Sequence, residues 1–379
     1  VCPPPAAETH GASPIAMTTP PRATHARYLA TARFPSLDGL RCAAILPVFW
    51  HHATLGPLPG VLGRGPLGVD LFFAISGLLI TTLLLRERDA TGRVSARGFY
   101  ARRTLRIFPL YYGVLGLYVG NAWLLMPPSP QRAHFFRSLP FFATYTTNWF
   151  VDFSVPHPVS FAFAWSLAAE EQFYLLWPWV VGLGARWHWP AAVALALLGL
   201  DQGVEHGLWS GALEPGGLAR RIAGSIASPI CMGAVLAEVL HSRRGFGAAR
   251  WLLGQRTSAP LLFAALILSA CMDGVPLWLA QLLMTLTVGA CVVRGDHGLT
   301  WLTDLAPLRW IGTVSYGIYL FHVGVITLAR RLLPASLGTP GWVFVLALPV
   351  TVALASASYA WVERPILALR RHFSRDVSA

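Results

Sequence analysis

Arg41 and His52 stand eleven residues apart in SLDGLRCAAILPVFWHHA (36–53), a segment otherwise apolar enough to lie in a membrane. Eleven residues is close to three turns of α-helix, so both side chains share one face, separated by roughly 16 Å along the axis. Ionisable groups at such depth are costly unless solvated or paired, and are read first as functional. A histidine, with an ordinary pKa near 6.5, is suited to take a proton from an attacking hydroxyl at neutral pH. A fixed arginine is suited to hold an anion such as phosphate. His51 lies about 100° around the helix from His52 and ranks second as the base.

Four more segments carry polar groups where a membrane penalises them. GVDLFFAISGLLI (68–80) begins with Asp70 in its first turn and holds Ser76-Gly77. FYARRTLRIFPLYY (99–112) sets Arg103 and Arg106 at i, i+3 on one side of a helix, with Pro109 behind them. WSLAAEEQFYLLWP (165–178) places Glu170 and Glu171 at the outer end of a span. SYGIYLFH (315–322) puts Tyr316, Tyr319 and His322 on helical spacing. Singly, each has a bland account: a capping aspartate, interfacial anchors, a histidine bonded between helices. Asp70 follows His52 after a short turn, so topology allows it to fix the histidine's tautomer as a third triad member does.

The elements that position these groups are long and apolar. Of 379 residues, 55% are hydrophobic and 12% charged, outside the range of ordinary soluble domains. The composition predicts an all-α polytopic membrane protein with about ten transmembrane helices, at 38–55, 67–86, 107–126, 167–184, 189–207, 220–240, 258–273, 276–294, 310–333 and 341–362. All 29 basic residues are arginines. With both termini cytoplasmic, 22 of them fall inside and 7 outside, and the inverted topology reverses that split. The net charge of +12 therefore reports membrane orientation and gives no reason to invoke nucleic acid. The five cysteines have neither disulfide nor metal-ligand spacing, and no metal site is expected.

The Pro-, Ala- and Thr-rich residues 1–35 read as a disordered cytoplasmic tail, with Met17 as an alternative start and no signal peptide. Residues 36–365 form the transmembrane domain, and 366–379 a basic cytoplasmic tail. The connections 86–106 and 241–257 are arginine-rich. Those at 127–165 and 201–217 are aromatic or acidic and lie outside, where Asn148, Asp152, His157 and neighbouring aromatics suit either sugar stacking or an interfacial belt.

In order and spacing these segments closely resemble the acyltransferase-3 family of membrane O-acyltransferases, from about Ser36 to Pro365: LDGLR, then ten residues, then histidine; GVDLFF followed by SG; RRxxRIxP; WSLxxExxFYLLxP; SYxxYLxH; and a closing Glu363-Arg364-Pro365. Leu78 stands where the family commonly has phenylalanine, and Pro47 lies inside the first span. The family often carries an additional SGNH-hydrolase domain, and this 379-residue sequence reads as a stand-alone member without one.

The resemblance implies acyl-CoA, acetyl-CoA first, as donor substrate with no permanently bound cofactor, and a hydroxyl acceptor. It places the essential arginine and histidine on Arg41 and His52 and the RxxR motif on Arg103 and Arg106. His52 is then the base, Arg103 and Arg106 hold the coenzyme phosphates at the cytoplasmic mouth, and Glu170, Tyr316 and His322 support the site. The expected acceptor is a saccharide or glycolipid at the surface of a bacterial cell, with the protein multi-pass in the plasma membrane. A cytosolic acceptor such as a macrolide is the alternative, and a transporter or export component is the alternative of another class.

Overall fold

The computed structural model describes residues 23–54, 63–152, 161–183, 188–334 and 338–369. The helices, in chain order, are α1 (His25–Ala30), α2 (Ser36–Ala53), α3 (Leu67–Thr91), α4 (Ala96–Leu124), α5 (Pro130–Ala143), α6 (Thr147–Phe150), α7 (Ala164–Leu183), α8 (Trp189–Glu205) and α9 (Leu218–Ala223). They continue with α10 (Ser228–His241), α11 (Arg243–Leu253), α12 (Ser258–Cys271), α13 (Leu277–Val293), α14 (Thr300–Thr303), α15 (Ala306–Thr313), α16 (Ser315–Leu332), α17 (Pro340–Ser358) and α18 (Arg364–Ala368), the last two joined by a π-turn at Tyr359–Glu363. Among the described residues there is no strand.

Each of the ten apolar stretches is helical over most of its described length. Three helical runs, Leu67–Thr91, Ala96–Leu124 and Pro340–Ala368, are long and apolar enough to cross a bilayer by themselves. The count reaches five if two bent pairs each make one span: α11 with α12 at 68°, and α15 with α16 at 75°. The helix expected over 220–240 is broken into α9 and α10 around Gly224–Ala227. Large apolar side chains such as Leu117, Leu124, Leu183 and Trp361 are well exposed, the surface a lipid-facing protein presents.

Packing turns on α2 and α3. Without side chains, Gly77 of α3 and Gly233 of α10 let the two backbones touch: a Cβ on Gly77 would lie 2.0 Å from the Ile230 carbonyl oxygen, and one on Gly233 2.4 Å from that of Ala74. Small residues at helix crossings are how membrane helices gain van der Waals contact where no hydrophobic force drives them together. α2 is enclosed by α3, α13, α15, α16 and α17, which leaves Leu40, Ile45, Val48 and Phe49 almost fully buried.

Several polar connections are more ordered than the sequence suggests. Residues 23–35, expected as part of the tail, fold back: α1 is capped by the Thr24 hydroxyl, and Tyr28, 2% exposed, bonds Thr82 at 3.1 Å. Arg86 donates to the carbonyls of Tyr28 and Thr31 at 2.5 and 2.7 Å. The 127–165 connection contains α5 and α6, and the 241–257 connection contains α11, started by the Ser242 hydroxyl accepting from the Gly245 N–H. Cys2, Met17, His157 and residues 370–379 of the C-terminal tail lie outside the described residues.

Candidate active site

α2 runs unbroken through Pro47, and its two ends serve two different cavities. At its beginning Arg41 donates Nη1–H to Asp38 Oδ1 at 3.2 Å, one turn earlier on the same helix. Asp38 also accepts from Arg33 at 2.6 Å. This largely buried carboxylate fixes the arginine's direction, because a guanidinium so tethered loses little further freedom on binding an anion.

Arg41 lines a cleft of about 770 Å³, part of it open to solvent, together with Arg103 and Arg106 of α4, Ser76 of α3, Glu170, Glu171 and Tyr174 of α7, and Tyr316 and Tyr319 of α16. The i, i+3 spacing does what the sequence implies and turns Arg103 and Arg106 into one space. Arg103 lies over the Tyr174 ring at 4.7 Å and the Phe99 ring at 5.8 Å, contacts that orient a guanidinium while leaving its edge donors available. Glu170 accepts from the Ser76 hydroxyl at 2.5 Å and from the Tyr174 hydroxyl. Tyr316 donates to the Ile107 carbonyl at 2.9 Å, tying α16 to α4 beside the arginines. Glu170 is the seventh residue of α7, which begins at Ala164, three residues before the expected span, and it faces this cleft.

At the other end of α2, His52 lines a second cavity, with about 1300 Å³ of empty space counted to its open mouth, beside Asn148, Trp165, Arg220 and Arg221. Its Nδ1 lies 2.9 Å from the Val48 carbonyl oxygen. A carbonyl only accepts, so Nδ1 carries the proton and Nε2 keeps a bare lone pair, the tautomer a general base requires. His51 is exposed and not among the lining residues.

His322 stands against His52 with ring centroids 4.7 Å apart at 83°. It is fully buried, donates Nδ1–H to the Tyr319 carbonyl at 2.5 Å, and its Nε2 has no hydrogen-bond partner among the described residues. Phe163, Tyr319 and His322 contact one another ring to ring at 5.3–5.6 Å. The Tyr319 hydroxyl donates to the Phe163 carbonyl at 2.9 Å and is bonded to Ser166 Oγ at 2.6 Å. This aromatic wall stands between the arginine cleft, which Tyr319 lines, and the His52 cavity, which Phe163 lines.

Asp70 does not complete a triad. It accepts from Gln281 Nε2 of α13 at 3.3 Å and makes no hydrogen bond to His52. Gly68 packs α3 closely against α2, its missing Cβ facing the Ala44 carbonyl, and two residues further on the side chain points about 200° away. The Val48 carbonyl takes the role assigned to the aspartate. Asp38, Tyr174 and Ser166 are site residues the sequence reading passed over. Asp38 alone left a signal, its i, i+3 spacing to Arg41. Among the described residues no group of His, Cys, Asp and Glu side chains is arranged to hold a metal ion.

Comparison with known proteins identifies the family. A family model described as an acyltransferase domain matches residues 34–360. YrhL of Bacillus subtilis (strain 168), named as a candidate peptidoglycan O-acetyltransferase, is 32% identical, the match covering 93% of this chain and 57% of the relative. The peptidoglycan O-acetyltransferase OatA of Listeria monocytogenes is 29% identical, over 88% of this chain and 55% of that protein. The chain thus spans little more than half the length of these relatives. No solved structure matches it. The motifs, the two cavities built from them and the match over 34–360 together make this chain a member of the acyltransferase-3 family.

Proposed function

We propose that this protein transfers an acyl group, acetyl foremost, from acyl-CoA to a hydroxyl of a cell-surface saccharide or glycolipid. The observation that carries the reading is the division of labour along α2: three arginines converge on one cleft at its beginning, and a histidine with a bare Nε2 opens on another at its end. Coenzyme A offers a pyrophosphate and a 3′-phosphate, and Arg41, Arg103 and Arg106 match them in charge and donor geometry. The relatives named as peptidoglycan O-acetyltransferases support a saccharide acceptor. The surrounding topology is read as ten spans in a bacterial plasma membrane with both termini in the cytoplasm.

In this reading the thioester arm reaches from the arginine cleft past Tyr319 toward His52. The acceptor hydroxyl enters the second cavity, and His52 Nε2 takes its proton as the oxygen attacks the thioester carbonyl carbon. The carbon–oxygen bond forms, the carbon–sulfur bond breaks, and the proton passes on to the departing coenzyme thiolate. Val48 keeps the imidazole in the accepting tautomer throughout, and the apolar wall of Phe163 and Phe49 limits water that would otherwise compete for the thioester.

The test is purified protein in lipid vesicles given acetyl-CoA and a cell-wall saccharide fraction. Release of free coenzyme thiol together with acetyl ester on the saccharide supports the reading. Acetyl-CoA left intact in the presence of acceptor, with saccharide moved across the membrane, would make the protein a carrier.

A further inference from the structure

The second cavity carries charge of one sign. Among the described residues its lining includes Arg220 and Arg221 of α9 but no aspartate or glutamate, whereas the arginine cleft holds Glu170 and Glu171 among its arginines. Among the described residues neither Arg220 nor Arg221 makes an ion pair, and the one hydrogen bond from either side chain runs from Arg221 to the Trp149 carbonyl at 3.4 Å. α9 is held in place from the same side: Trp149 Nε1 donates to Ser225 Oγ at 2.9 Å, and that hydroxyl donates to the Ile222 carbonyl at 2.9 Å. The large apolar residues of α9, Leu218 and Ile222, are exposed, while Ala223 is buried. Two adjacent like charges repel one another, and Arg220, half-buried at the edge of the cavity beside the exposed Arg221, also gives up part of its hydration; an anion held between them offsets both costs.

We propose that the acceptor is an anionic saccharide, whose carboxylate or phosphate group is held by Arg220 and Arg221 while a hydroxyl of the same molecule lies at His52. This rests on the acyl-transfer reading and narrows its substrate class. Trp165, partly exposed on the cavity wall, offers a ring face for the sugar's apolar C–H surface. The two arginines are specificity-determining positions that fix which hydroxyl reaches His52 Nε2, and they take no part in proton transfer. A carboxylate of an acidic sugar and a phosphate linking a sugar to a lipid satisfy the same chemistry.

The experiment measures binding and transfer separately on protein in vesicles. Binding is read from tryptophan fluorescence on titration with a uronic acid oligosaccharide, its carboxyl-reduced neutral counterpart, and a polyprenyl-phosphate-linked saccharide. Transfer is read as acetyl ester formed from acetyl-CoA. The wild type binds at least one anionic ligand tenfold or more tighter than the neutral one, and whichever anionic ligand prevails identifies the source of the charge. Arg220→Gln with Arg221→Gln removes that preference and raises the acceptor KM about tenfold, leaving the acetyl-CoA KM and the amount of inserted protein unchanged. Equal binding of the neutral and both anionic ligands by the wild type overturns the proposal, as does a preference that survives the double substitution. A preference lost in the variant with no acetyl ester formed by the wild type leaves the anion site standing and removes the acyl-transfer reading instead.

Discussion

The imidazoles of His52 and His322 stand at 83° to each other, 4.7 Å between centroids, and each gives its Nδ1 proton to a carbonyl on its own helix. Both are therefore the same neutral tautomer, but His52 lines a cavity whereas His322 is fully buried. His52→Ala is expected to lower acyl transfer by on the order of 10² to 10⁴ while the protein still inserts and accumulates. His51→Ala leaves most of the activity, since His51 points away from the cavity. Steady-state rates of the two variants check this, and a reversal of their order would show the α2 register to be wrong.

His322 is expected to act through its shape. His322→Ala opens a hole in the wall of Phe163, Tyr319 and Phe49, lets the His52 ring turn, and lowers kcat with little change in donor KM. His322→Phe refills the wall and relieves a buried nitrogen that has no partner, a gain of about 1–3 kcal/mol in stability, so it retains most of the activity. If the phenylalanine variant folds but is as inactive as the alanine variant, the Nε2 lone pair itself takes part in proton transfer.

Arg103 and Arg106 are assigned to the donor. Replacing either by alanine is expected to raise the acyl-CoA KM about tenfold with the acceptor KM unchanged, and replacing Arg103 by lysine to recover only part of it. The ammonium keeps the charge but loses the planar fork that lies on Tyr174. Donor kinetics unchanged in the double alanine variant would remove both residues from the coenzyme site.

These assignments divide according to how far along the chain each contact reaches. Arg103 and Arg106 share a cleft because an i, i+3 pair shares a helix face whatever surrounds it, and the same geometry makes Asp38 legible as the partner of Arg41 once the helix is accepted. The Val48 carbonyl beside His52 is one turn back, equally local. Asp70 went wrong because its orientation is set by which face of α3 carries the small residue that meets α2, a tertiary fact that Gly68 settles. The ten apolar runs were readable as helices from hydropathy. How many cross the bilayer was not, since α10 and α13, with 14 and 17 residues, fall short of the roughly 20 that span hydrocarbon without help from neighbours. α5 and α6 sit in a stretch whose sequence reads equally as sugar-binding loop or interfacial belt.

His297 lies between the helices, in the connection that leads from α13 to α14, and predicts an acid-sensitive fold. Its Nδ1 accepts from the Leu299 N–H at 3.2 Å, so Nε2 carries the proton and donates to Ser36 Oγ at 2.9 Å, at the start of α2. Burial pushes its pKa below the ordinary histidine value, with Asp304 and Asp296 pulling the other way. In the unfolded chain the group titrates near 6.5, so between that value and the lower folded one the unfolded state binds the extra proton. Stability is then fully present above about pH 6.5 and is lost as pH falls below it. Thermal unfolding in detergent at several pH values should show this slope, reduced in His297→Gln, whose amide can still donate to Ser36. Identical slopes in the two proteins would assign the acid sensitivity elsewhere.

Orientation in the membrane decides which compartment supplies the acceptor. Twenty-two arginines against seven favour a cytoplasmic N-terminus, which puts the exposed Arg97, at the start of α4, inside and the exposed Ser210, between α8 and α9, outside. Cys42, Cys231 and Cys291 are buried and Cys271 is exposed, so replacing Cys271 and Cys2 by serine leaves a background of shielded thiols. A membrane-impermeant maleimide applied to intact cells is expected to label Ser210→Cys and to spare Arg97→Cys until the membrane is opened. Labelling of position 97 alone would invert the protein. The cavity at His52 would then face the cytoplasm, where a soluble alcohol such as a macrolide becomes the acceptor and a surface saccharide is out of reach.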